Sequence, residues 1–292
     1  MNPSRGSVTS TRIEVRMGRG ETLPGRLWLA QNPRAIVALL HGLGEHAGRY
    51  EALASDLARA GYIVAALDLP GHGEAPGPRG DVPSWIAVRD HGVQALWTAP
   101  HAAGIDTGRL PRILLGHSMG AVLALDYALA HPRELTGVIA SAAGLRSAMP
   151  PWWKLALANV VRVTVPSMGF PTGLEEAGMS RDPEVVRGRA DDPLVHDRIS
   201  PRLYEAFNEA RQRVLRDARR IAVPVLVLHG AADRVVDPAG SADFAGAAPK
   251  DRVKHIVYPD AYHEIFNDVG RERVVADMLV WIDRVIAADR PH

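Results

Sequence analysis

The chain has 292 residues, with 34 basic and 33 acidic side chains, a formal net charge of +1 and no cysteine. That charge balance leaves no electrostatic footprint for a nucleic-acid partner, and the absent cysteine excludes disulfides, thiolate catalysis and Cys-ligated metals. An apolar fraction of 47% is enough for a sizeable core, and the length allows one large domain or two small ones.

Residues 1–12 are polar and lack the apolar stretch of a secretory signal. No run long enough to span a bilayer is free of charge or proline, so a cytoplasmic protein is expected, peripheral to a membrane at most. Segments 13–17 and 26–30 read as an opening antiparallel pair, and 35–40 as a buried strand that stops at His41-Gly42. A helix over 50–60, a strand over 63–67, a helix over 85–98 and a strand over 112–115 follow. Then come a helix over 119–130 and a strand over 137–141. After a long interruption the alternation resumes with strands at 223–229 and 253–258 and helices at 239–247 and 271–288. Strands alternating with helices predict an α/β domain, with a mostly parallel sheet covered on both faces. Ligands of such sheets bind beyond the carboxyl ends of the strands, so the informative residues should lie just after them.

Gly116-His117-Ser118-Met119-Gly120 matches G-x-S-x-G directly between a predicted strand and a predicted helix. That is the context in which a sharp turn presents an exposed nucleophilic serine; without it the pattern is only a glycine-rich turn with an incidental Ser. A serine that attacks a carbonyl needs backbone N–H donors for the developing oxyanion. Met119, the residue after the nucleophile, supplies one, and Leu43 in His41-Gly42-Leu43-Gly44 is placed to supply the other. The simpler reading of that loop is a tight glycine turn. His41 is expected to be a structural hydrogen-bonding residue.

The serine also needs a base, and the base an orienting carboxylate, in the chain order Ser, acid, His. Asp233 follows the strand over 223–229 and His263 follows the strand over 253–258, so both sit at strand ends in that order. Asp237 precedes Pro238 and reads as a helix cap; His255 falls inside a strand, and His292 is terminal.

These residues resemble the monoacylglycerol lipase and lysophospholipase branch of the α/β-hydrolases. The resemblance rests on the ten-residue loop His41-Gly42-Leu43-Gly44-Glu45-His46-Ala47-Gly48-Arg49-Tyr50 and on Asp68-Leu69-Pro70-Gly71-His72-Gly73. The elbow with Met after Ser, Asp191-Asp192-Pro193-Leu194 and His263-Glu264-Ile265-Phe266-Asn267 add to it, over roughly residues 35–281. It implies Ser118, Asp233 and His263 as the triad, Leu43 and Met119 as oxyanion donors, and a carboxylic ester or lipid as substrate.

Between residues 144 and 220 the alternation breaks, which divides the chain into a hydrolase core (1–144 and 221–292) and an inserted helical cap (145–220). Trp152, Trp153 and Leu157 belong to an apolar stretch of that insertion and are the candidate substrate contacts. The stretch either lines an acyl pocket and touches a lipid surface or partner, or packs the cap's own core. The segment 203–220 reads as a solvated helix, and Glu175 and Glu176 as surface residues. No metal or organic cofactor is implied, and nothing sets an oligomeric state. The expected activity is ester hydrolysis through an acyl-enzyme. A thioesterase, an amidase or peptidase, a perhydrolase, or a hydrolase-fold binding protein without turnover are the alternatives.

Overall fold

The computed structural model describes residue 8 and residues 10–18, 20–146 and 166–289. Trp152, Trp153 and Leu157 lie outside the described residues. Eight strands form one sheet: β1 Thr11–Met17, β2 Glu21–Trp28, β3 Ala35–Leu40, β4 Tyr62–Leu67, β5 Arg112–His117, β6 Gly137–Ser141, β9 Val225–Gly230 and β10 Val253–Tyr258. Their order is β1-β2-β4-β3-β5-β6-β9-β10. The β1–β2 and β2–β4 pairs are antiparallel, and every later pair is parallel.

Strands β3, β4, β6 and β9 are buried along their whole length, as strands covered on both faces must be. Their unbroken apolar runs made them readable. The opening hairpin was harder: β2 begins at Glu21, five residues before the expected start, because its first residues are exposed and carry no apolar run. β9 begins at Val225 rather than 223, since Pro224 has no N–H to give to a ladder and contributes only its carbonyl, to Val138.

Helices α1 (Glu51–Arg59) and α7 (Arg271–Ala288) cover one face of the sheet. The other carries α2 (85–98, with a π turn over Val88–Gly92), α3 (Met119–Ala130), α5 (Pro201–Arg216) and α6 (Ala239–Ala247). Helix α3 is apolar around nearly its whole circumference, so it must be covered on the side away from the sheet as well. Helix α5 provides that cover.

The expectation of a solvated helix over 203–220 is therefore corrected. The α-helix ends at Arg216, and its Leu203, Ala210 and Val214 are buried in the same apolar cluster as α3. Burying Leu203 and Val214 contributes roughly 1.5–3 kcal/mol each. Before α5 the insertion forms a two-residue ribbon, β7 Phe170–Pro171 against β8 Arg198–Ile199, and helix α4 (Pro183–Ala190). Both helices start on a side-chain cap followed by proline: Asp182 accepts from the Glu184 N–H, and Ser200 from the Leu203 N–H. Glu175 and Glu176 are exposed, as expected.

Candidate active site

The chain leaves β3 toward β4 on one side of the sheet and later adds β5 on the other, so the loops after β3 and β5 meet at the switch point of the sheet. Ser118 sits there, between β5 and α3, with φ 54° and ψ −113°. This left-handed φ is costly for a residue with a Cβ, by about 1–3 kcal/mol. The surroundings hold it: the Ser118 N–H donates to the Ser141 carbonyl, and the Ser118 carbonyl accepts from the N–H groups of Ala121, Val122 and Gly144. The flanking glycines are obligatory. A Cβ on Gly116 would lie 2.1 Å from the Gly120 carbonyl oxygen, and one on Gly120 would lie 2.2 Å from that of Leu40.

The loop after β3 lies against the serine, since a Cβ on Gly42 would come within 3.2 Å of Ser118 Cβ. Leu43 lines a small cavity together with Ser118, His117, His263, Leu174, Met179 and Arg189. Met119 is the first residue of α3, so its N–H has no acceptor inside the helix. His41 is buried: its Nδ1–H donates to the Gly42 carbonyl, and its Nε2 accepts from the Leu69 N–H. It is a structural residue, as expected.

Asp233 and His263 lie just beyond β9 and β10 and meet in a hydrogen bond of 2.7 Å, from His263 Nδ1 to Asp233 Oδ2. Asp233 Oδ1 accepts from the N–H groups of Val235 and Val236, and Oδ2 also accepts from His229 Nε2 at 3.0 Å. Burial pushes the Asp233 carboxyl up, but hydrogen bonds from His229 and His263 outweigh it and hold the group well below the usual carboxylate range. Asp237 caps α6 by accepting from the Ala239 N–H, and His255 stays within β10.

Around this constellation runs a charged cluster that the sequence reading did not resolve into contacts. Glu45 accepts from the Gly42 N–H (2.6 Å) and the Tyr50 hydroxyl (2.7 Å), which fixes the loop that carries Leu43. Burial raises the Glu45 pKa, yet the neighbouring His117 and Arg49 pull it down to about 2. Arg49 pairs with Glu45 and, at 2.5 Å, with Glu264 beside His263. Arg189, buried in α4 of the insertion, reaches Glu264 from the other side at 3.3 Å, and its Nε–H has no partner among the described residues. His46 donates from Nε2 to Asp192 at 2.9 Å. Both residues belong to the quoted motifs, but only the fold brings 46 and 192 together.

The insertion also grips the loop that carries His263. The Glu264 N–H donates to the Met179 carbonyl, and Asp268 accepts from the Ser180 hydroxyl, the Arg181 N–H and the Tyr262 N–H. Among the described residues no cluster of His, Asp and Glu is arranged to hold a metal ion. No helix among them is long and apolar enough to cross a membrane.

A family model described as Serine aminopeptidase, S33 (Hydrolase_4) matches residues 31–270. A monoacylglycerol lipase of Mycolicibacterium smegmatis is 35% identical, covering 94% of this chain and 98% of its own. The phospholipase YtpA of Bacillus subtilis is 30% identical, over 89% of this chain and 99% of its own. Among solved structures, the monoacylglycerol lipase of Paleococcus ferrophilus superposes with a TM-score of 0.78 at 32% identity, covering 95% of this chain and 98% of that one. The chain belongs to this family, in the monoacylglycerol lipase branch of the α/β-hydrolases, and is a serine hydrolase.

Proposed function

We propose that the chain hydrolyses monoacylglycerol-like esters through an acyl-enzyme on Ser118. His263 takes the serine proton as Oγ attacks the ester carbonyl, while Asp233 holds the imidazole in the tautomer with Nδ1 protonated. The oxyanion is received by the N–H groups of Leu43 and Met119. His263 then protonates the leaving alcohol, and water enters by the same route to release the acid. The observation that carries this reading is the meeting of the three strand-end loops: Ser118 and His263 line one cavity, and Asp233 holds His263 from behind.

The insertion acts as the cap. Its exposed Leu174 lines the cavity, and Met168 and Phe170 in the same segment are exposed as well, which suits a substrate drawn from a lipid surface. The carboxylates that line the cavity, Glu45 and Glu264, are paired with Arg49 and with Arg189, and this charge balance suits a neutral polyol such as glycerol. A second reading, a lysophospholipid substrate, is favoured by the Nε–H of Arg189, unpartnered among the described residues, and by the phospholipase relative.

The test is a hydrolysis panel of monoacylglycerols, lysophospholipids and aryl esters of graded acyl length. Ser118→Ala should lower kcat by about 10⁴–10⁶-fold on every ester that the wild type cleaves. Retention of more than about a tenth of the activity would overturn the assignment. A higher kcat/KM for lysophospholipids than for monoacylglycerols would replace the first reading with the second.

A further inference from the structure

Asp233 accepts hydrogen bonds from two histidines on a single oxygen. Oδ2 faces His263 Nδ1 at 2.7 Å and His229 Nε2 at 3.0 Å, while Oδ1 is occupied by two backbone N–H groups. The proposed mechanism uses His263 and leaves His229 without a role. His229 is fully buried at the end of β9, where a polar side chain is retained only if both ring nitrogens are satisfied. They are. Its Nδ1 lies 2.7 Å from the hydroxyl of Ser241, itself fully buried on α6.

The tautomer follows from the partners. An ionised Asp233 only accepts, so His229 Nε2 carries the hydrogen. In the neutral ring Nδ1 then has a lone pair, and the Ser241 hydroxyl donates to it. The chain of bonds runs Ser241 Oγ–H to His229 Nδ1, His229 Nε2–H to Asp233 Oδ2, and His263 Nδ1–H to the same oxygen.

We propose that His229, with its tautomer fixed by Ser241, is a positioning residue that sets the orientation and basicity of the Asp233–His263 pair. The inference rests on the triad reading above. Backbone donors hold Oδ1, and His229 completes the hold on Oδ2 so that the carboxylate cannot swing off His263. It also takes up part of the charge on Oδ2 that would otherwise stabilise the imidazolium of His263. Other charged and titratable groups face the pair: His117 on β5 with its ring 4.8 Å from that of His263, Glu45, Glu264, Arg234 and His255 on β10. None of them has a hydrogen bond to Asp233 among the described residues, so His229 is the side chain that adjusts Oδ2 directly.

The experiment compares the full chain with His229→Leu and His229→Gln, following kcat/KM against pH on a soluble aryl ester. Glutamine keeps one donor and one acceptor across a three-atom amide, as the imidazole does across two nitrogens. Without the His229 donor, more of the Asp233 charge acts on His263. The acid limb should therefore move up by about half to one pH unit, and kcat should fall about three- to tenfold with KM unchanged. His229→Gln should bring both back toward wild type. An acid limb that stays in place in folded His229→Leu, or a Gln variant that rescues nothing, would overturn the inference.

Nitrogen NMR of the wild-type side chains gives a readout that does not depend on the variants folding. His229 should be protonated on Nε2, and a ring protonated on Nδ1 alone would overturn the proposal. Fluorophosphonate labelling separates the two failures. If wild-type Ser118 does not label, the triad reading itself fails; if it labels while the acid limb is unmoved in His229→Leu, only the role of His229 fails.

Discussion

The sheet and the insertion above it are held together by different physics. The strands and α3 are specified locally: short apolar runs, glycines where backbones touch, and a serine forced into a left-handed turn. The described part of the insertion, beyond the apolar stripe that α5 lays on α3, docks through long-range polar contacts to buried carboxylates of the core. Asp126 receives Arg213 at 2.7 Å and Trp85 Nε1 at 2.9 Å. Asp81 receives Ser200 and Arg202, Asp268 receives Ser180 and Arg181, and Glu264 receives Arg189. Ser118 therefore belongs to the locally specified, apolar part of the molecule. The loop carrying His263 is shared with the insertion, so under the proposed mechanism changes there should reach catalysis through His263 rather than through Ser118.

The sharpest way to break this contrast is to attack each side on its own terms. Gly120→Ala has nowhere to place its methyl group, because backbone oxygens of Leu40 and His41 occupy the space at 2.2 and 2.5 Å. It should cost about 3 kcal/mol or more by denaturant titration and leave little active protein. Asp126→Ala strips Arg213 and Trp85 of their shared acceptor. A broken buried pair costs about 3–5 kcal/mol, but Arg213 is a third exposed and can rehydrate, so about 2–3 kcal/mol is expected. Proteolysis should then cut the insertion before the core; cleavage of the core first would contradict the division.

Acid should act on both regions at once. Burial, followed by the nearby charge of His263, holds the His117 pKa down at about 3, and burial chiefly holds that of His196 in the insertion at about 4. Above about pH 6.5 these rings are neutral in both the folded and the unfolded chain. As the pH falls below that value the unfolded chain binds protons that the folded chain refuses, so stability is lost downward through this window. His117, fully buried, should contribute about 1.4 kcal/mol per pH unit. Thermal unfolding from pH 8 to pH 4 measures it. A Tm flat down to the carboxylate range would contradict the shifts. The smallest effect belongs to the exposed pair of Arg187 and Glu184 on α4, where Arg187→Ala should change stability by less than about 0.5 kcal/mol.

The same contrast explains what the sequence could reveal. Strands β3, β6 and β10 and helices α3, α6 and α7 were readable to the residue, because each is written in its own apolar pattern or turn residues. The placement of Ser118, Asp233 and His263 just past strand ends was readable because they follow such elements. Helix α5 was misread as solvated, since its polar composition hides Leu203, Ala210 and Val214 and the helix they cover. His229 and Arg189 passed unnoticed for a related reason. Arg189 meets Glu264 75 residues away, and His229, though only four residues before Asp233, owes its orientation to Ser241 twelve residues on, so no local pattern reveals either. A lone Asp126 in an otherwise apolar helix was the one available signal that a distant cation had to arrive.

The account turns on Ser118 being an activated nucleophile, and covalent titration tests that most directly. Incubation of the intact protein with a fluorophosphonate, followed by peptide mass spectrometry, should place one adduct per chain on Ser118. Labelling should vanish in Ser118→Ala and slow by orders of magnitude in His263→Ala. A folded protein that stays unlabelled, or an adduct on another residue, would contradict the account.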